Sequence, residues 1–234
     1  MGQLFLLITG EGAGNNRLLP LTTTIDSDNI ARNEHSFRKE TIMDTLQTNK
    51  REAILNATLH LVSEHGFHGT PMSEIAKHAD VGAGTIYRYF DSKEDLINAL
   101  FIELKNDLSQ AMLVGITQDQ PLEDIFRALW MNLLEFCLEK PDVTLFLEQY
   151  HNSPYLTPET EAQSEVFLAP VYQVFDHAID AGMVKQMPIE MLNALTYNFA
   201  VTLVKYHLSG SLELTEQVKE QAFGAVMGAI LAEC

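Results

Sequence analysis

The stretch 70–90 constrains this chain most, because it holds two short helical patterns separated by a break just long enough for a tight turn. Thr70 is an N-cap residue type, and Pro71 suits the first helical position, where a missing N–H is no loss. Met72, Ile75, Ala76 and Ala79 recur at i, i+3, i+4 and i+7, which gives one apolar face over two helical turns. Asp80-Val81-Gly82 then ends the pattern. Asp tolerates left-handed backbone better than most residues with a side chain, and Gly82 is free to turn. A second short helix follows over 83–90, with Ile86 and Phe90 inward and Thr85, Tyr87, Arg88 and Tyr89 facing elsewhere. Two short helices across a tight turn, the second small at its start and rich in Thr, Tyr and Arg, form a helix-turn-helix motif over 71–90.

The flanking sequence extends the pattern. A helix over 48–65 turns Ile54, Leu55, Ala57, Leu61 and Val62 to the core, and Gly66 closes it. Ser92 caps a further helix over 93–115, with Asp95 three residues on to complete a capping box. Beyond Leu96 helices succeed one another near 121–139, 142–151, 158–181 (kinked at Pro170), 188–208 and 215–232, punctuated by prolines. No segment alternates with period two. The expected fold is all-α, with an N-terminal three-helix helix-turn-helix head over 47–107 and a C-terminal helical bundle over 108–234.

Residues 1–46 show no sustained period and are rich in Gly, Asn, Thr and Ser. Three readings stay open for them. They form a loose arm, or they stand outside a working chain that starts at Met43, or they reach the minor groove through Arg32, Arg38 and Lys39. The hydrophobic share of 46% and charged share of 20% belong to a globular protein. The net charge of −17 taken alone argues against a nucleic-acid partner, but its distribution matters more. Residues 47–91 carry four Lys/Arg against five Asp/Glu, whereas residues 92–234 carry seven against twenty-one. The acid lies in the bundle, so phosphate contacts from the head should be few and drawn from hydroxyls, backbone N–H groups and Lys93. Cys137 and Cys234 make no disulfide framework, no run of about eighteen apolar residues appears, and the apolar N-terminus lacks a basic lead-in. A cytoplasmic protein with no membrane span is expected.

The segments Ala53 to Gly66-Phe67, Gly69-Thr70, Ile75-Ala76, Val81, Gly84-Thr85-Ile86-Tyr87-Arg88-Tyr89-Phe90 and Ser92-Lys93-Glu94-Asp95-Leu96 resemble the TetR/AcrR family of bacterial transcription regulators. The likeness covers roughly fifty consecutive positions at fixed spacing, far more than a short motif offers. Three positions depart from the common pattern: Asp80 stands where Gly is usual, Gly82 where Ser or Thr caps, and Ala83 where a longer polar side chain often reads a base. The resemblance implies double-stranded DNA as partner. Ala83, Gly84 and Thr85 would approach base edges, Tyr87, Tyr89 and Lys93 phosphates, and Thr70 and Ser73 the backbone, with Arg88 on a guanine or a phosphate. It also implies a homodimer, an inverted-repeat operator and a small-molecule effector.

The final helix alternates small residues (Ala222, Gly224, Ala225, Gly228, Ala229) with Val218, Phe223, Val226, Met227, Ile230 and Leu231. Glycine costs about 1 kcal/mol inside a helix, so two of them need a packing reason. Small residues let backbones approach, either within one subunit or across a dimer interface. By resemblance that interface uses Tyr197, Val201, Phe223, Gly224, Met227, Gly228 and Leu231.

The middle helices are the expected sensor. Trp130, Phe146, Tyr150, His151, Tyr172, Phe175, His177 and Tyr197 supply aromatic bulk with a few polar groups, the usual make-up of a small-molecule pocket, although aromatics at helical spacing also serve as plain core. Glu148 and Asn152 lie among apolar neighbours, and a carboxylate there would favour a cationic lipophilic ligand unless it simply faces solvent.

Catalytic and metal chemistry find no support in the spacing. His60, His65, His68 and His78 lack a carboxylate at ligand spacing, and Gly82-Ala83-Gly84 lacks the Gly-Lys of a phosphate loop. Cys137 sits between Phe136 and Leu138 without a basic neighbour, as an inert buried thiol would. No cofactor, metal or enzymatic activity is expected. The sequence reads as a ligand-responsive regulator, a repressor first, with the head coupled to the bundle through the helix over 93–115. The alternative is a helical interaction protein whose motif no longer reads DNA.

Overall fold

The computed structural model describes residues 49–117, 119–151 and 153–232. The readings made on residues 1–46, on Asn152 and on Cys234 lie outside the described residues.

Helix α1 spans residues 49–65 and buries Ile54, Leu55, Ala57, Leu61 and Val62, the face that its spacing prescribes. Thr58 shares that face, and its hydroxyl donates to the Ile54 carbonyl at 2.8 Å, so this buried hydroxyl is not stranded. Gly66 ends the helix at φ 68°, and Gly69 is fixed by sterics, since a Cβ there would lie 2.4 Å from the His65 carbonyl oxygen. Thr70 does not cap the next helix. It is fully buried and its hydroxyl donates back to the Gly66 carbonyl at 2.9 Å, which closes the turn between α1 and α2.

Helices α2 (Met72–His78) and α3 (Ala83–Ile86) form the motif. The turn between them takes its left-handed residue from Asp80, at φ 51°, while Gly82 is extended at φ −66° and ψ 142°. Val81 N–H donates to Ala76 O at 3.0 Å and Asp80 N–H to Lys77 O at 3.3 Å, the paired bonds of a Schellman ending. Helix α3 is shorter than its pattern predicts. After Ile86 the chain tightens, with Arg88 N–H on Thr85 O and Tyr89 N–H on Ile86 O, both bonds to the third residue back.

Helix α4 (Lys93–Met112) ends before residue 115, and its N-terminus departs from a simple capping box. Ser92 Oγ accepts from Asp95 N–H at 3.0 Å as expected, but Asp95 Oδ2 accepts from Asp91 N–H at 3.0 Å rather than from Ser92. The body is built from α5 (Leu122–Glu139), α6 (Pro141–His151), α7 (Pro158–Asp180), α8 (Ile189–Asn193), α9 (Phe199–Leu208) and α10 (Glu216–Ile230). Pro170 lies inside α7 without ending it. The helix expected over 188–208 is not uniform: a π turn over Ala194–Asn198 joins α8 to α9. Lys185 N–H on Ile230 O and Ala232 N–H on Met183 O, both 2.9 Å, tie the end of α10 to the strand-like segment after α7.

One apolar cluster runs from Ile54 and Ile86 in the head to Val226 and Ile230 in α10. Phe67, in the turn after α1, carries it across: its ring lies 5.6 Å from Phe146, 6.3 Å from Tyr150 and 5.3 Å from Tyr155. A smaller cluster groups Ile125, Leu129, Leu168 and Val171. Among the described residues no helix is long and apolar enough to cross a membrane.

Candidate nucleic-acid interface and regulatory body

The face of the motif follows from what the core consumes. Ile75, Ala76 and Ala79 of α2 and its turn, with Ile86 and Phe90 around α3, are all buried. Gly82, Ala83 and Gly84 at the start of α3 are therefore exposed, and a Cβ built on Gly84 would meet nothing within 4 Å. Small residues here leave the α3 backbone free to approach another molecule. Tyr87 is 56% exposed, Arg88 is exposed with no ion-pair partner among the described residues, and Ser73 is exposed on α2. Thr85 and Tyr89 are half-buried. A free guanidinium, a phenol and hydroxyls around a bare helix start can bind phosphates and base edges.

Two expected contacts stand apart from this face. Thr70, wholly buried and bonded to Gly66, has no surface to offer a phosphate. The Lys93 ammonium donates to the Phe67 carbonyl, and burial lowers its pKa, so it fixes the turn after α1 to the start of α4. The histidines also differ from expectation. His60 and His65 each lie 3.7 Å from Glu64, and His60 lies 4.0 Å from Asp142, so carboxylate partners do exist. Among the described residues no three such groups come together to hold a metal ion.

The residues expected to line one sensor pocket are distributed over several places. Phe146 and Tyr150 are fully buried at the joint with the head, where Tyr150 stacks on Phe101 at 3.9 Å. The Tyr150 hydroxyl donates to Asn98 Oδ1 at 2.7 Å; burial pushes its phenol up to about 12, opposed by the Thr160 hydroxyl. Trp130 faces Phe199 and Phe223, and its buried indole N–H has no partner among the described residues. Phe175 packs edge-on against Phe126 at 5.1 Å and, with Tyr172, borders the smaller cluster. His151 and His177 are exposed. Glu148 is not available to a cation, because both its oxygens accept from Lys205, at 2.7 and 3.1 Å. An open groove of about 210 Å³ lies elsewhere, between α1 and α4, bordered by Glu52, Leu55, Leu59, Glu103, Leu104 and Asp107.

The expected dimer residues divide between two faces. Val201, Phe223 and Met227 are core, and Tyr197 is half-buried, with desolvation the main cause that raises its phenol pKa. Gly224, Ala225 and Gly228 are exposed on the opposite side of α10, and a Cβ on either glycine would meet nothing within 4 Å. Packing within the subunit therefore does not account for those glycines. Sequence reasoning gave no role to two residues: Phe67, whose aromatic type in a turn was the available signal, and Lys105, which had none.

Two family models match the chain. One, described as bacterial regulatory proteins, tetR family, covers residues 54–100, and one described as tetracyclin repressor-like, C-terminal domain, covers residues 121–231. An HTH-type transcriptional regulator of Haemophilus influenzae is 30% identical over 112 residues, which are 48% of this chain and 60% of that protein. A TetR family transcription regulator from Marinobacter aquaeolei superposes with a TM-score of 0.77 at 29% identity, covering 81% of this chain and 100% of that one. FadR from Bacillus subtilis, solved in complex with stearoyl-CoA, has a TM-score of 0.59 at 18% identity, over 76% of this chain and 98% of that one, a likeness of fold.

Proposed function

The chain belongs to the TetR family of helix-turn-helix DNA-binding transcription regulators, and we propose that it acts as a dimeric repressor that a small lipophilic effector releases from an inverted-repeat operator. The observation that carries the reading is the exposed start of α3, with Tyr87 and Arg88 uncommitted beside it. Ala83, Gly84 and Thr85 enter the major groove, and Tyr87, Tyr89 and Arg88 hold the flanking phosphates. The bare side of α10 at Gly224, Ala225 and Gly228 accepts the same helix of a second copy, so that backbones approach closely. Two recognition helices then lie about one DNA turn apart.

Release is a population shift. The effector favours a body conformation whose recognition helices are wrongly spaced, and DNA affinity falls by the ratio of its affinities for the two states. A fold neighbour that holds stearoyl-CoA supports an effector with a long apolar part. Tyr87→Ala tests the assignment of the reading face: operator affinity by fluorescence anisotropy at fixed salt should fall severalfold while thermal stability stays within the error of wild type. Unchanged affinity would remove Tyr87 from the interface.

A further inference from the structure

We propose that Lys105 receives the headgroup of an anionic amphiphile, whose carboxylate pairs with this ammonium inside the body while its chain lies among the neighbouring aromatic rings. The inference rests on reading the body as an effector domain and goes further by fixing the sign of the effector's charge.

Lys105 Nζ sits 5.6 Å from the centre of the Phe101 ring and 5.9 Å from that of Tyr197. Among the described residues these rings are its only partners, with no hydrogen bond and no carboxylate within ion-pair distance. The other cations of the body are provided for: Arg127 binds Glu220, Lys205 binds Glu148, Lys219 binds Glu135 and Glu216, Lys185 donates to Ala229 O, and Lys140 is exposed. Among the described residues of the body, Lys105 is the half-buried cation left with neither a carboxylate nor a hydrogen-bond acceptor. Desolvation lowers its pKa, with no opposing carboxylate. Partial removal of an ammonium from water is costly, and two ring faces return only part of that cost. The chain carries 32 acidic against 15 basic residues, so a missing counter-ion is not for want of carboxylates. Glu148 is near enough to help raise the Tyr197 phenol, yet Lys205 holds both of its oxygens. Among the described residues no carboxylate completes this site, which leaves the place open to a bound anion.

The surroundings suit an amphiphile rather than a free inorganic ion. Phe101 stacks on Tyr150, Tyr150 meets Phe67 edge-on, and Phe67 sits in the turn that leads into the reading head. Tyr197 belongs to the π turn, a backbone irregularity frequent at functional sites. A group that displaces Phe101 from Lys105 thus presses on a continuous set of rings ending at the helix-turn-helix.

The test is calorimetric titration of the full chain with decanoate, decanol and decyltrimethylammonium at one ionic strength, below their micelle concentrations. One charge-assisted contact should make decanoate bind roughly ten- to hundred-fold more tightly than decanol, with the cationic amphiphile weakest. Lys105→Met should erase the gap and Lys105→Arg should keep it, which separates loss of charge from loss of fold. Equal affinity of wild type for decanoate and decanol, or a gap that survives Lys105→Met, overturns the proposal. Anisotropy on an operator duplex distinguishes the two readings. Lys105-dependent decanoate binding that leaves DNA affinity unchanged supports the anion site and overturns the effector role; DNA binding without decanoate preference overturns the anion site alone.

Discussion

Tyr150→Phe removes one oxygen atom from the joint between head and body. The hydroxyl donates to Asn98 Oδ1 at 2.7 Å, with Tyr155 O at 3.2 Å a weaker second acceptor, and the ring itself is fully buried. A phenylalanine keeps the stacking on Phe101 and the contacts with Phe67 and Phe146, so the change isolates the bond. A net hydrogen bond is worth about 1 ± 0.5 kcal/mol, and more if its partner is stranded. Asn98 is half-buried, so water can reach it, which sets the expected loss at about 1–1.5 kcal/mol. For a chain of this size that lowers Tm by roughly 2–6 °C. Thermal unfolding by circular dichroism at pH 7 reads the shift, with protomer concentration held constant because dimers unfold with concentration-dependent midpoints. An unchanged Tm would mean that the Tyr150–Asn98 bond contributes nothing net. A loss above roughly 4 kcal/mol would mean that the ring had also moved.

Asp80→Gly relieves the left-handed strain at φ 51° but frees the unfolded chain, for a net gain of about 0.5 kcal/mol; Asp80→Val at the same site should destabilise measurably in urea titration. Ser92→Ala removes the cap on Asp95 N–H and should lower stability by about 1 kcal/mol, or roughly 2–4 °C in Tm. Burial pushes the Cys137 thiol from 9.0 up to about 11. Below pH 9 both states hold the proton. Between pH 9 and 11 the unfolded chain releases it and the native chain does not, so stability falls as pH rises through that window. Cys137→Ala should flatten that fall by about 1–3 kcal/mol when ΔG is compared at pH 8 and pH 11.

The head was legible because its apolar positions recur at i, i+3 and i+4, and the structure buries Ile75, Ala76, Ile86 and Phe90 as that pattern requires. The turn was legible in place but not in detail. Both Asp80 and Gly82 can take positive φ, and the Schellman register, which the sequence does not display, selects Asp80. On α10, Phe223 and Gly224 differ by one residue and so by about 100° around the axis. Their alternation announces two faces, and only the packing of Phe223 and Met227 against the body tells which side is left bare. The aromatic residues of the body were least legible, since helical spacing places each on a face without naming the ring opposite. Lys105 was invisible for a related reason: a lysine on an amphipathic helix reads as solvated, and its setting depends on how α4 packs against the π turn.

Selection of binding sites from a randomised duplex library by the purified protein tests the central claim that the bare start of α3 reads DNA. The account predicts enrichment of an inverted repeat whose half-sites lie about one helical turn apart, lost when Tyr87→Ala protein is used at the same salt concentration. Enrichment of no common sequence, or of the same sequences by the Tyr87→Ala protein, would contradict it.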